Sequence, residues 1–173
     1  MEKPIRRPLA LGLTILAALV RVAPHPPNFA PVGGMSLFAG ARLRGWMAYL
    51  LPLALMAVTD PIVGGYSKTT PFIYASFLIN VWIGRSLRAS ESPWRIGSAA
   101  VLGSVQFFLL SNFAVWLFGY PHNWTGLTTC YALAIPFFGP TLVSDLLATG
   151  VLFGLHAVLS RTIYTPERLM QAS

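Results

Sequence analysis

Six apolar runs separated by proline, glycine and arginine constrain this chain more than any other feature: about 8–23, 31–41, 45–60, 71–88, 96–118 and 136–160. Most approach the ~20 residues that a helix needs to cross the hydrocarbon of a bilayer. Their limits carry helix punctuation. Pro8 sits at an opening turn, where a missing amide donor does no harm. Asp60-Pro61 and Gly64-Gly65 are expected to stop the third run, Pro71 to open the fourth, and Ser92-Pro93 to precede the fifth. Gly119-Tyr120-Pro121 should end the fifth, and Pro136 should start the sixth. With 55% hydrophobic and 10% charged residues, the 173-residue chain lacks the polar surface to cover a water-soluble globule. The expected fold is all-α: one transmembrane domain over residues 1–173, an integral membrane bundle of six hydrophobic helices.

The second run is about 11 residues, too short to span alone. It reads either as a half-length helix packed inside the bundle or as one arm of a bend at Arg42–Gly45. Before it comes Pro24-His25-Pro26-Pro27-Asn28-Phe29-Ala30-Pro31-Val32-Gly33-Gly34, where four prolines fix φ and remove amide donors. The start of the chain, Lys3, Arg6 and Arg7 followed by Leu9–Val20, has the outline of a secretion signal. Arg21 and the prolines after it replace the small-residue cleavage site, so this segment reads as a retained first helix.

Basic residues decide the topology. With a cytoplasmic N-terminus, Lys3, Arg6, Arg7, Arg42, Arg44, Arg85, Arg88, Arg95, Arg161 and Arg168 all fall at cytoplasmic ends, leaving Arg21 and Lys68 outside. This is the positive-inside pattern, with both termini cytoplasmic, and it requires the short second run to count as a crossing. The net charge of +7 therefore needs no nucleic-acid partner.

That topology places the unusual chemistry on the outer face, in loops Pro24–Ala30, Pro61–Thr70 and Gly119–Ile135. His25, Asn28, Phe29, Tyr66, Trp116, His122, Trp124 and Tyr131 could wall a pocket for a small organic molecule, with Asp60 at its lip. The competing reading is an aromatic belt at the interface. Asn80, Asn112 and Asp145 are polar residues within the spans and complete the candidate set. Asp145 lies ~14 Å below the outer surface, where an ionised carboxylate costs ~2.5–3.5 kcal/mol without a partner. It is either functional or a clasp, with Thr141 and Thr149 tying its helix to Asn80 or Asn112. Asp60 followed by Pro61 suggests the cap of a new turn. Arg21 either snorkels to headgroups or pairs with Asp60 or an anionic ligand.

Other chemistries find little support. The single cysteine, Cys130, excludes an internal disulfide, and no two ligands share metal-binding spacing on one helix. Neither a Gly-x-Ser-x-Gly elbow nor a P-loop is present. No cofactor or metal is expected, and the alternative to binding is an intramembrane enzyme or accessory subunit using Asp145, His156 and the external histidines. Small residues recur at Ala10, Thr14 and Ala18 and at Gly150 and Gly154, ladders that let helices approach closely, within the bundle or at a partner.

Six hydrophobic segments, a basic cytoplasmic side, the small-residue face of the first helix and long external loops together resemble the substrate-binding S component of energy-coupling factor (ECF) vitamin transporters. The stretch from Arg21 to Gly40, with Asp60 and the region of Asn80, is also similar to a family of bacterial membrane proteins named for transport but of unknown function. The resemblance implies capture of a vitamin-like micronutrient outside the cell and its release inward, from the bacterial cytoplasmic membrane. It also implies a first loop closing over the ligand at His25 and Asn28. A coupling subunit with two ATPases would dock on Ala10, Thr14 and Ala18. Cobalamin-specific members use a first-loop histidine and a cysteine near the metal; His25 fits, while Cys130 sits in the last external loop.

Overall fold

The computed structural model describes residues 6–24 and 26–170, with side chains for 8–24 and 26–162. Six helices follow in order: α1 (Arg6–Val22), α2 (Val32–Arg42), α3 (Met47–Val63), α4 (Thr70–Arg85), α5 (Pro93–Gly119) and α6 (Trp124–Met170). The described residues contain no strand, so the fold is all-α. By length and composition two helices are able to cross a membrane, Pro93–Gly119 and Trp124–Thr162; Pro8–Val22 and Met47–Val63 are apolar but shorter.

Two boundaries differ from expectation, both at prolines. α3 runs through Pro61 to Val63, so Asp60-Pro61 does not stop it and Asp60 caps no new turn. Pro61 has no amide to give the carbonyl of Ala57. The hydroxyl of Tyr66 donates to that carbonyl instead, at 2.6 Å. The stop comes four residues later, where the amides of Gly64 and Gly65 return to the Asp60 carbonyl at 3.0 and 2.7 Å. Gly65 makes that turn at φ +80°, a left-handed conformation suited to glycine. α6 starts at Trp124, not Pro136, because the Asn123 side chain caps it by accepting the Gly126 amide at 2.8 Å. Most of the stretch expected to be an outer loop is therefore helix, with Pro136 and Pro140 inside it.

The bundle is built around its shortest member. α2 packs against all five other helices, and every residue from Val32 to Ala41 is buried. Small residues make this possible. Gly40 lies against the backbone of Val81 and Gly84 against the carbonyl of Leu37, so a Cβ at either position would overlap the facing helix. Met35, Leu37 and Phe38 fill the remaining space, Phe38 meeting Phe153 edge-on at 5.3 Å.

α5 and α6 form an antiparallel hairpin, and the N-terminus of α2 meets it at Asp145. Tyr131 donates to the Leu109 carbonyl at 2.6 Å, and Ser104 donates to Asp145 at 2.7 Å. The stretch 131–145 of α6, ~21 Å of helix, thus faces only 104–109 of α5, ~8 Å. Between these contacts Phe138, flanked by Pro136 and Pro140, keeps α6 against Phe108 of α5, rings 5.1 Å apart, and Gly33 and Gly34 of α2 stand beside Asp145.

Polarity is inverted relative to a water-soluble bundle. Val58, Ile62, Trp82, Leu147 and Val158 are exposed, while Thr14, Ser36, Asn80, Ser104, Asp145 and Thr149 are buried. Charge collects at the ends. Arg42, Arg88, Glu91 and Arg161 share one end, hereafter the arginine end. Arg21 and Asp60 meet at the other.

Candidate functional site

The polar interior begins with a problem that α2 creates. A helix starting inside a bundle leaves amide donors without partners, and Pro31, at its N-cap, has no side chain to accept them. Asp145 of α6 supplies the acceptor. Its carboxylate, 4% exposed, takes the backbone amides of Gly33 and Gly34 together with the Ser104 hydroxyl. A negative charge there also opposes the positive end of the α2 dipole. Gly33 is required by this contact, because a Cβ would coincide with the carboxylate.

Beside this cap, Gln106 donates to the Ser76 carbonyl and to Asn80 Oδ1, each at 2.9 Å. Gly103 leaves the room for Asn80, since a Cβ would come within 2.6 Å of Oδ1. The crevice between Asn80, Gly103 and Asp145 has no room for a water molecule. The expected clasp of Thr141 and Thr149 onto Asn80 or Asn112 is therefore corrected: Thr141 donates to the carbonyls of Asn28 and Phe137, and Thr149 reaches neither asparagine. The side-chain partner of Asp145 is Ser104, and Asn112 turns back on the Phe108 carbonyl at 2.8 Å.

The C-terminal end of α2 is closed by arginine. Arg88 donates to the carbonyls of Gly40 and Leu43, at 3.4 and 3.1 Å. Arg42 reciprocates onto Leu87 and Ser90, at 3.4 and 3.2 Å, with its guanidinium 4.9 Å from the centre of the Phe153 ring. Next to this pair a cleft of about 550 Å³ opens at the arginine end, between α6 and the segment joining α4 to α5. Buried Thr149, Phe153 and His156 form its deep side, and exposed Arg88, Glu91 and Pro93 its rim. Thr149 is one helical turn from Asp145 and its hydroxyl makes no hydrogen bond among the described residues.

Glycine makes the cleft. Gly97, Gly150 and Gly154 all line it, and a Cβ added at any of them would meet nothing within 4 Å. The Gly150–Gly154 ladder does not draw helices together; it withholds side chains from an open space. Glycine inside a helix costs ~1 kcal/mol relative to alanine, so three such positions around one void weaken the helices without any compensating packing.

At the opposite end, Arg21 of α1 binds Asp60 of α3 at 2.6 Å and Thr59 at 2.5 Å, and Tyr74 of α4 donates to the second Asp60 oxygen at 2.6 Å. Three helices are tied there by one carboxylate.

None of the described residues expected to wall an outer pocket lines this cleft. His25 lies outside the described residues. Asn28 is exposed at φ 60°, its carbonyl accepting from Thr141 at 3.3 Å, and Phe29 is half-buried nearby in sequence. Tyr66 is spent on Ala57 and Tyr131 on Leu109. Trp116 and His122 do come together, rings 5.4 Å apart; Trp116 donates to the Pro121 carbonyl, and His122 Nε2 lies 2.8 Å from that of Leu117. Trp124 is exposed at the start of α6. Ala10, Thr14 and Ala18 are buried on the face of α1 that meets the bundle, so they offer no surface to a partner. Among the described residues no three His, Cys, Asp or Glu side chains are grouped to hold a metal ion.

Sequence reasoning missed Tyr74, Ser104, Gln106 and the whole cleft. A hydroxyl or amide in a membrane-like helix was the available signal for the first three. The cleft had one in Gly97, Gly150 and Gly154, glycines inside helices.

A family model for a family of unknown function, DUF6580, matches residues 2–168. The chain belongs to that family. The match to DUF6580 takes in the α2 cap, the cleft and the Arg21–Asp60–Tyr74 cluster together. No curated protein and no solved structure matches the chain.

Proposed function

We propose that this protein is a multi-pass membrane protein that carries a small organic solute, held in the cleft at the arginine end. An apolar exterior over a polar interior supports the membrane setting. Collection of arginine at one end supports a cytoplasmic face there, with α1, α3, α4, α5 and α6 crossing the bilayer. α2, ~16 Å long, fills the cytoplasmic half of the second crossing and its proline lead-in fills the outer half. A half-helix whose N-terminus ends inside the bundle is the construction used by many secondary carriers near the bilayer midplane. The surrounding membrane is the bacterial cytoplasmic one, and the direction is uptake of a nutrient.

The observation that carries this reading is the cleft itself. It is within the size range of small-molecule sites, its glycines pack against nothing, and its deep wall reaches one turn from Asp145. It opens to the cytoplasm while the Arg21–Asp60–Tyr74 cluster closes the outer end, an inward-open arrangement. Uptake then requires that cluster to part when solute enters from outside.

Native mass spectrometry on protein purified in mild detergent tests the reading. The unaltered chain should retain a small-molecule adduct that is absent from Gly154→Phe, a position that lines the cleft and where a Cβ meets nothing within 4 Å. Identical spectra for the two, with both folded, would overturn it.

A further inference from the structure

Resting on that reading of the cleft, we infer that its ligand is an amphipathic organic anion, an apolar ring or short chain bearing one acidic group. The rim charge points this way. Arg88 spends Nε and Nη2 on two backbone carbonyls and makes no ion pair among the described residues, so its charge stands at the opening. Arg42 adds a second guanidinium, held by carbonyls and by the Phe153 face. The acidic residue of the lining, Glu91, is three-quarters exposed and already faces Arg161 at 3.8 Å. A cationic ligand would find no buried acid here. An anion would find guanidinium, whose planar donor fork suits a carboxylate or phosphate.

The deeper wall sets the rest of the molecule. Ile96, Leu146 and Phe153 offer apolar surface, and Thr149 adds a hydroxyl that no described residue engages. A space of about 550 Å³ accepts a ring system with a short substituent. Such an anion has two sources, a free acid in the cytoplasm or the acidic headgroup of a lipid.

Binding of 1-naphthoate to the purified chain, measured by calorimetry beside its neutral and cationic isosteres 1-naphthamide and 1-naphthylmethylamine, tests the charge requirement. Naphthoate should bind at least tenfold more tightly than either. Gly97→Asp places a carboxylate on the rim in open space and should weaken naphthoate at least fivefold relative to Gly97→Asn, while Glu91→Gln should tighten it. Both side chains at position 97 enter open space, so the two Gly97 variants should melt together. Phosphatidylglycerol added to the micelles will compete if a lipid headgroup is the natural anion, and will not if a free acid is. Equal binding of all three isosteres, or preference for the amine, overturns the anion inference. If that binding is also lost in Gly154→Leu, the cleft remains the solute site and only the ligand class falls. Binding of no isostere, with Gly154→Phe also indistinguishable in the native spectra, overturns both.

Discussion

A carboxylate in an apolar interior needs donors, and Asp145 finds them in the backbone of another helix. Its two α2 amides and the Ser104 hydroxyl make it a cap acting across the bundle, not a free acid. Replacing it with leucine would strand those donors, at ~1–3 kcal/mol for each unsatisfied group. We expect Asp145→Leu to lose on the order of 3 kcal/mol and Asp145→Asn, which keeps one acceptor oxygen, ~1 kcal/mol, read as melting in detergent. Gly33→Ala should resemble the leucine variant, since its methyl occupies the place of the carboxylate. Melting of Asp145→Leu at the native temperature would show that α2 needs no cap. Asp145 was legible as exceptional from its depth in an apolar run. Its partners were not, because backbone amides leave no trace in a residue string.

At the scale of elements, α2 shows how a helix too short to cross can still sit at the centre. Its dipole is met at both ends, by Asp145 at the amides and by Arg88 at the last carbonyls. α3 solves a related difficulty within one chain segment. Pro61 frees the Ala57 carbonyl and Tyr66 takes it. The two should be coupled: Tyr66→Phe costs ~1 kcal/mol in the native chain, and close to nothing in a Pro61→Ala background, where residue 61 regains its amide. A double-mutant cycle in denaturant or heat checks this, and equal losses in both backgrounds would dismiss the compensation. By sequence alone the proline at 61 reads as a stop, because proline usually ends helices. A side-chain donor five residues later lets the helix continue.

For the whole molecule, the segregation of arginine and the inversion of polarity make one prediction about orientation. In a Cys130→Ser background, which removes a buried thiol, a cysteine at Lys68 should react with an impermeant maleimide on intact cells. A cysteine at Arg44 should react only after permeabilisation, both positions being exposed. The reverse pattern would turn the molecule over and place the cleft outside. The end opposite the arginines does not hold the open volume. Aromatic and imidazole groups crowd the end opposite the arginines, yet the described ones bond mainly to nearby backbone, and the open volume lies where side chains are missing.

The sequence by itself determined the class: six apolar runs with polar punctuation become helices, and basic residues gather at one end, because both follow from local periodicity and counting. It also determined that the second helix is short. Which donors Asp145 meets, that Pro61 and Pro136 lie inside helices, and where a cavity opens were decided by tertiary structure. The physical reason is that caps, freed carbonyls and voids depend on what a neighbouring helix brings or withholds, and glycine records an absence whose meaning appears only when the space around it is seen.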